Sequence, residues 1–139
     1  MQSSMTSHIS GHISGQIWGL ILALALFTAG TATAGEISRA LFTTGIDDHE
    51  PVSMIVSIDS KTSNSISFFT EINNMSGQTV THQWTHHDKV MFEKTFEVKA
   101  ARWRVWTSKT LIPSWTGTWT VNVLDNERTL LASKSFEYQ

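Results

Sequence analysis

The side chains able to do chemistry fall into three groups: six histidines, an acidic run at Asp47, Asp48 and Glu50, and an aromatic and basic stretch from Arg102 to Val123. His82 and His86 stand four apart, about 13 Å in an extended chain. One zinc with bonds of about 2 Å cannot bridge that span. His86 and His87 point to opposite faces unless a turn begins between them, so turn chemistry with Asp88 as the turn residue is the expectation, not a metal site. The acidic run offers oxygens to calcium but lacks the glycine and the later bidentate acid of a calcium loop. Its members also sit too close in sequence to form the cleft of a paired-carboxylate hydrolase. A solvated turn is the reading for all three. No Gly-x-Ser-x-Gly elbow, cysteine or glycine-rich phosphate loop is present. The expectation is therefore no catalytic residue, no metal and no cofactor.

The third group holds four of the six tryptophans. Side chains alternate along a strand, so Trp103 and Val105 share one face, while Arg102, Arg104 and Trp106 share the other. Trp103 with Val105, and Trp119 with Val121 and Val123, read as inner faces, each indole burying about 150–250 Å². Arg104 and Trp106 then face outward, near the loop residues Lys109 and Trp115. Arg102, Arg104, Trp106, Lys109 and Trp115 are the candidate binding residues. An outward indole beside guanidinium groups can stack on a sugar ring or an aromatic partner, or can be covered by arginine as packing. A bulge between Arg104 and Trp106 would turn both rings inward and remove that face.

The elements that must position these residues are strands. Glu36–Thr44 reads as a first strand, followed by a polar turn to Pro51. Val52 to Asp59 alternates, with Val52, Met54, Val56 and Ile58 on one face, as a half-buried strand does. Ile66 to Ile72 is apolar on both faces and so central. Thr79–His86 and Val90–Val98 form a hairpin, with Gly77 in the preceding turn at positive φ. Trp103–Ser108 and Thr118–Leu124 are two further strands, and Asp125–Arg128 turns the chain into Leu130–Tyr138. Strands recur every 8–12 residues with turn signals between, the spacing of a sandwich or small barrel. The expected fold is all-β, an antiparallel two-sheet sandwich, immunoglobulin-like, with a closed small barrel as the alternative.

The first 35 residues of the 139 contain no Lys, Arg, Asp or Glu. Ile17 to Phe27 is an unbroken apolar run, shorter than the roughly 20 residues of a spanning helix. Ala32-Thr33-Ala34 fits a small-x-small cleavage site. Residues 1–34 are therefore expected to be a signal peptide, or an N-terminal anchor if uncleaved, with the sandwich domain over 35–139. That makes the domain periplasmic or secreted, touching membrane only through an uncleaved N-terminal segment. Without cysteine there is neither a disulfide nor a lipid-attachment site. Ten basic against twelve acidic side chains give a net charge of -2, no field to gather nucleic acid.

The blocks Phe42-Thr43-Thr44-Gly45-Ile46, Glu50-Pro51, Phe69-Thr70-Glu71, Gly77 to Trp84, Arg102 to Lys109 and Trp115 to Val121, in that order, resemble a bacterial family. That family is known only as a domain of unknown function at the C-terminus of envelope-associated proteins. The resemblance implies a small exported β-domain with no assigned activity and supplies no catalytic residue. The family pattern often carries an Arg before the Glu-Pro, where this chain has His49, and an aromatic-polar-Gly turn in place of His86-His87-Asp88. The leading expectation is a non-catalytic binding module of the bacterial envelope whose partner is a glycan or a protein. Alternatives are a self-associating structural protein, pairing through edge strands or a face of Ile55 and Phe69, and a hydrolase built on His82 with an Asp.

Overall fold

The structure is a computed structural model that describes residues 34–139; the expected signal segment, apart from Ala34, lies outside them. The described chain is all-β, with strands β1 (Glu36–Thr43), β2 (Ile46–Asp47), β3 (Glu50–Pro51), β4 (Ser57–Ile58), β5 (Ser65–Asn73), β6 (Thr79–His86), β7 (Lys89–Glu97), β8 (Arg102–Thr110), β9 (Gly117–Leu124) and β10 (Leu130–Tyr138). One 3-10 turn, Pro113–Trp115, interrupts them. Two sheets face each other: a three-stranded one in the order β1-β5-β8 and a five-stranded one in the order β4-β10-β9-β6-β7. β5 is the centre of the first sheet, as its two-sided apolar pattern requires. The expected hairpin of β6 with β7 forms, and β9 returns as β10.

The core lies between the sheets. Phe42, Phe68, Trp84, Trp119 and Phe136 are all fully or almost fully buried, and their rings meet at tilted, edge-on or stacked angles with centroids 4.7–6.4 Å apart. That geometry suits the aromatic quadrupole and adds to the area each ring buries. Tight turns close the hairpins. Gly77 has φ 85°, and His87 and Asp88 at the β6–β7 turn have φ 50° and 59°, the two left-handed residues of a type I′ turn.

One expected strand is corrected. Val52 to Asp59 does not run as a half-buried strand with Val52, Met54, Val56 and Ile58 inward. Val52, Met54 and Val56 are exposed and Ile55 packs against the core; only Ile58 of the expected set is buried. The segment crosses between sheets as a strap. The Ile55 N–H donates to the Phe42 carbonyl on β1 at 3.0 Å. The Glu137 N–H on β10 donates to the Val56 carbonyl at 2.9 Å, and β4 pairs parallel with the end of β10. Alternation misleads here because each residue serves a different sheet edge, so no single face governs the stretch.

Candidate functional site

The β5–β8 register runs without a shift from Ser65↔Thr110 to Asn73↔Arg102. No bulge intervenes, so Arg102, Arg104 and Trp106 stand together on the outer face of the three-stranded sheet, while Trp103, Val105, Thr107 and Lys109 turn to the other sheet. Across from them on β5 the register places Glu71 opposite Arg104 and Phe69 opposite Trp106. A carboxylate in a central strand needs partners, and Glu71 has four donor atoms. Its Oε2 accepts from Arg39 Nη2 at 2.6 Å, Arg39 Nε at 3.2 Å and Arg102 Nη2 at 2.9 Å, and its Oε1 from Ser38 Oγ at 3.2 Å.

The β2–β3 hairpin brings Glu50 onto the same network. Arg39 grips Glu50 with both terminal nitrogens at 2.8 and 2.9 Å, and Arg104 Nη1 adds a third bond at 2.6 Å. Hydrogen bonds from Arg39 and then Arg104 pull the Glu50 carboxyl down to about 2. Those from Arg102 and then Arg39 do the same for Glu71, to about 2, against the opposing effect of its burial. Three guanidiniums and two carboxylates leave one surplus positive charge. Arg102 and Arg104 each give one nitrogen to a carboxylate and keep further N–H groups free to donate. The acidic run is thus not a plain solvated turn: Asp47 and Asp48 are exposed, but Glu50 clamps the hairpin to the sheet.

Trp106 is half-buried on this face, with the His49 ring meeting it edge-on at 5.7 Å. The guanidinium lying over a ring is that of Arg39, 4.9 Å above Phe69, while Arg104 turns to Glu50. Phe69 is fully buried, so the surface of Ile55 and Phe69 expected for self-pairing is not available.

A groove of about 590 Å³ runs beside these residues. Five consecutive residues of β8, Arg102 to Trp106, line it, together with His49 and with Lys94 and Phe96 of β7. Consecutive residues point to opposite faces, so a groove touched by all five follows the edge of β8, not a face. The groove occupies the seam where the outer strands of the two sheets, β8 and β7, approach. Among the described residues, no carboxylate lines it.

Lys109 and Trp115 do not join this site. Lys109 lies on the inner face, its Nζ 5.2 Å from the Trp115 ring and 5.7 Å from the rings of Trp119 and Phe92. Burial there lowers its ammonium pKa. The five candidates therefore split into Arg102, Arg104 and Trp106 at the groove and Lys109 with Trp115 in an aromatic cluster elsewhere. Parity already separated Lys109 from Arg104.

His82 is fully buried between the sheets, and its partners are hydroxyls, not an Asp: Nε2 meets Thr70 Oγ1 at 2.9 Å and Nδ1 meets Thr107 Oγ1 at 3.0 Å. The expectation of a hydrolase built on His82 with an Asp loses its acid partner and its access to substrate. His86 stacks on Trp119 at 4.5 Å, and its Nε2 lies 2.9 Å from the Thr116 carbonyl. Missed at the level of sequence were Arg39, Glu71, Lys94 and Phe96. Glu71 carried a signal, being the one charged residue of the central strand; the others carried none.

No curated protein matches the chain. The crystal structure of an immunoglobulin-like protein from Pseudomonas aeruginosa is similar over 79% of this chain and 100% of that one, with a TM-score of 0.53 and 13% identity. The fold is accordingly immunoglobulin-like, as expected. Residues 77–138, from the turn before β6 through β10, match the model of the family described as Protein of unknown function (DUF2914), a family of the kind the resemblance implied.

Proposed function

We propose that this domain is an exported, non-catalytic binding module of the bacterial envelope, and that its ligand, a glycan or a protein segment bearing negative charge, lies in the groove along β8. The observation that carries the reading is the lining itself. Lys94, Arg102 and Arg104 converge on Trp103, Trp106 and Phe96 with no carboxylate among them, a combination of aromatic area and fixed donors that suits a binding site. The guanidiniums are pre-set by Glu50 and Glu71, so little side-chain freedom is lost when a ligand arrives. Among the described residues, nothing beside the groove resembles a nucleophile with a base. The absence of charge in the first 35 residues and the site at Ala32-Thr33-Ala34 support export.

Tryptophan fluorescence of the full chain, titrated with cell-wall fragments, oligogalacturonates and oligoglutamates, tests this. At least one anionic series is expected to shift the emission saturably. Trp106→Ala is expected to remove most of that shift, and Arg104→Ala to weaken binding by about tenfold, the cost of one charge-assisted contact of roughly 1.4 kcal/mol. A flat titration with every series, or a shift untouched by both substitutions, would refute the proposal.

A further inference from the structure

Resting on that reading and narrowing it, we infer that the occupant of the groove is an extended polypeptide segment with acidic side chains, which adds as a strand to the free edge of β8. The two lateral seams of the sandwich are treated differently. At the seam of β1 and β10 the chain closes itself: the strap from Val52 to Ile58 bonds first to Phe42 on β1 and then to Glu137 and Gln139 at the end of β10. A short extended segment is thus this fold's own means of sealing a seam. At the opposite seam, of β8 and β7, no such strap exists among the described residues, and the groove takes its place.

Backbone geometry favours peptide over sugar. β8 is the outer strand of its sheet, bonded along its length to β5. In antiparallel pairing every second residue turns its N–H and C=O away from the partner. No backbone hydrogen bond beyond those to β5 engages Arg102–Thr110 among the described residues. Edge strands are usually blunted by bulges, proline, charge or cover; Arg102–Trp106 has an unbroken register and no proline, and its two charges, Arg102 and Arg104, are bonded to Glu71 and Glu50. The five groove residues offer about 17 Å of edge, enough for a strand of about five residues. Its side chains would alternate between two environments. One is the outer face, with Arg102, Arg104 and Trp106; the other is the inner side, with Trp103, Phe96 and Lys94. Both carry positive charge and aromatic surface, so acidic residues suit either side, with an apolar one between. Strand addition takes affinity from the backbone and selectivity from alternate pockets.

The experiment begins with a randomised octapeptide library displayed and panned against the immobilised full chain. Enriched peptides are expected to hold Asp or Glu at alternating positions, without proline, and to bind Arg104→Ala at least tenfold more weakly. Each enriched peptide is then synthesised with single N-methyl groups. Methylation at residues of one parity is expected to weaken binding at least tenfold and at the other parity by less than twofold, and the outward amides of β8 to gain protection from hydrogen exchange. Failure to enrich any acidic peptide, or binding indifferent to N-methylation at both parities, overturns the strand. If oligogalacturonate binds through Trp106 and Arg104 while peptides do not, the strand inference falls and the groove reading stands. If neither binds, both fall.

Discussion

At the scale of single residues, His82 shows how a titratable group is made inert. Trp84 Nε1 can only donate, and it points to Thr107 Oγ1 at 2.9 Å. Thr107 then sends its own proton to His82 Nδ1, and His82 Nε2–H donates to Thr70 Oγ1, whose hydroxyl reaches toward the Val105 carbonyl. The opposite tautomer leaves the Thr107 hydroxyl proton without an acceptor, so the ring is neutral and protonated at Nε2. Burial pulls its pKa from 6.5 down to about 3. Between those values the unfolded chain binds the proton and the folded chain does not. This contribution is complete above pH 6.5 and is lost as pH falls toward 3, at up to about 1.4 kcal/mol per pH unit. Glu50 and Glu71, held near 2 in place of 4.5, add a second loss of the same sign below pH 4.5. Urea midpoints measured against pH are expected to fall in both windows, and His82→Gln to flatten the first while leaving the second. A slope between pH 6.5 and 4.5 that survives His82→Gln would assign it to other groups. The carboxylates should also differ from each other. Glu71 is almost buried and Glu50 is 42% exposed at its side chain. Glu71→Gln is therefore expected to cost about 1–3 kcal/mol in denaturant unfolding and Glu50→Gln distinctly less. The tryptophan parities and the lone acid of the central strand were legible in the sequence. Arg39 and Lys94 were not, because a surface cation carries no sign of which strand will lie beside it.

At the scale of elements, the turns and the strap carry the local conflicts. His87 and Asp88 both adopt left-handed backbone, where a side chain costs about 1–2 kcal/mol relative to glycine. Asp88→Gly is expected to stabilise the β6–β7 hairpin by about 0.5–1 kcal/mol, read as a rise in thermal midpoint; a fall would show that the Asp88 side chain compensates the strain. The strap offers a cleaner contrast between neighbours. Met54 is 75% exposed while Ile55 packs on the core. Met54→Lys is expected to change stability by less than about 0.5 kcal/mol, and Ile55→Ala to cost about 1–3 kcal/mol. The reverse order would restore the simple alternation of Val52, Met54 and Val56 facing inward. That alternation was plain in the sequence and pointed the wrong way. A stretch that bonds to one sheet through Ile55 and to the other through Val56 and Ile58 answers to two edges, and hydrophobic period reports only on one face at a time.

At the scale of the whole molecule, the seven long strands, their hairpin order and the two-layer core followed from patterning, since six of them bury residues between the sheets and the mostly exposed β7 pairs with β6 as its hairpin partner. The two-residue strands β2, β3 and β4 did not follow from it. The groove did not, because a seam is made by two strands distant in sequence, and neither β7 nor β8 marks its own edge as free. Charge distribution is the property that emerges only at this scale. The chain carries a net charge of -2, so its mean field repels anions, while the groove gathers Lys94, Arg102 and Arg104 at one seam. An anionic ligand must therefore be drawn in by a local field against the global one. Local fields of exposed groups are screened beyond a Debye length of about 10 Å at 0.1 M salt, and steering by them shows in association rates more than in dissociation. Stopped-flow mixing of the full chain with a fluorescent oligoglutamate is expected to show an association rate falling on the order of tenfold between 0.05 and 0.5 M NaCl. In Lys94→Ala/Arg104→Ala that salt dependence is expected to vanish, and at low salt the rate to drop to the value the unaltered chain shows at high salt. A wild-type rate that is flat in salt would mean that the three cations do not act together on an incoming chain, and that the aromatic lining alone governs entry.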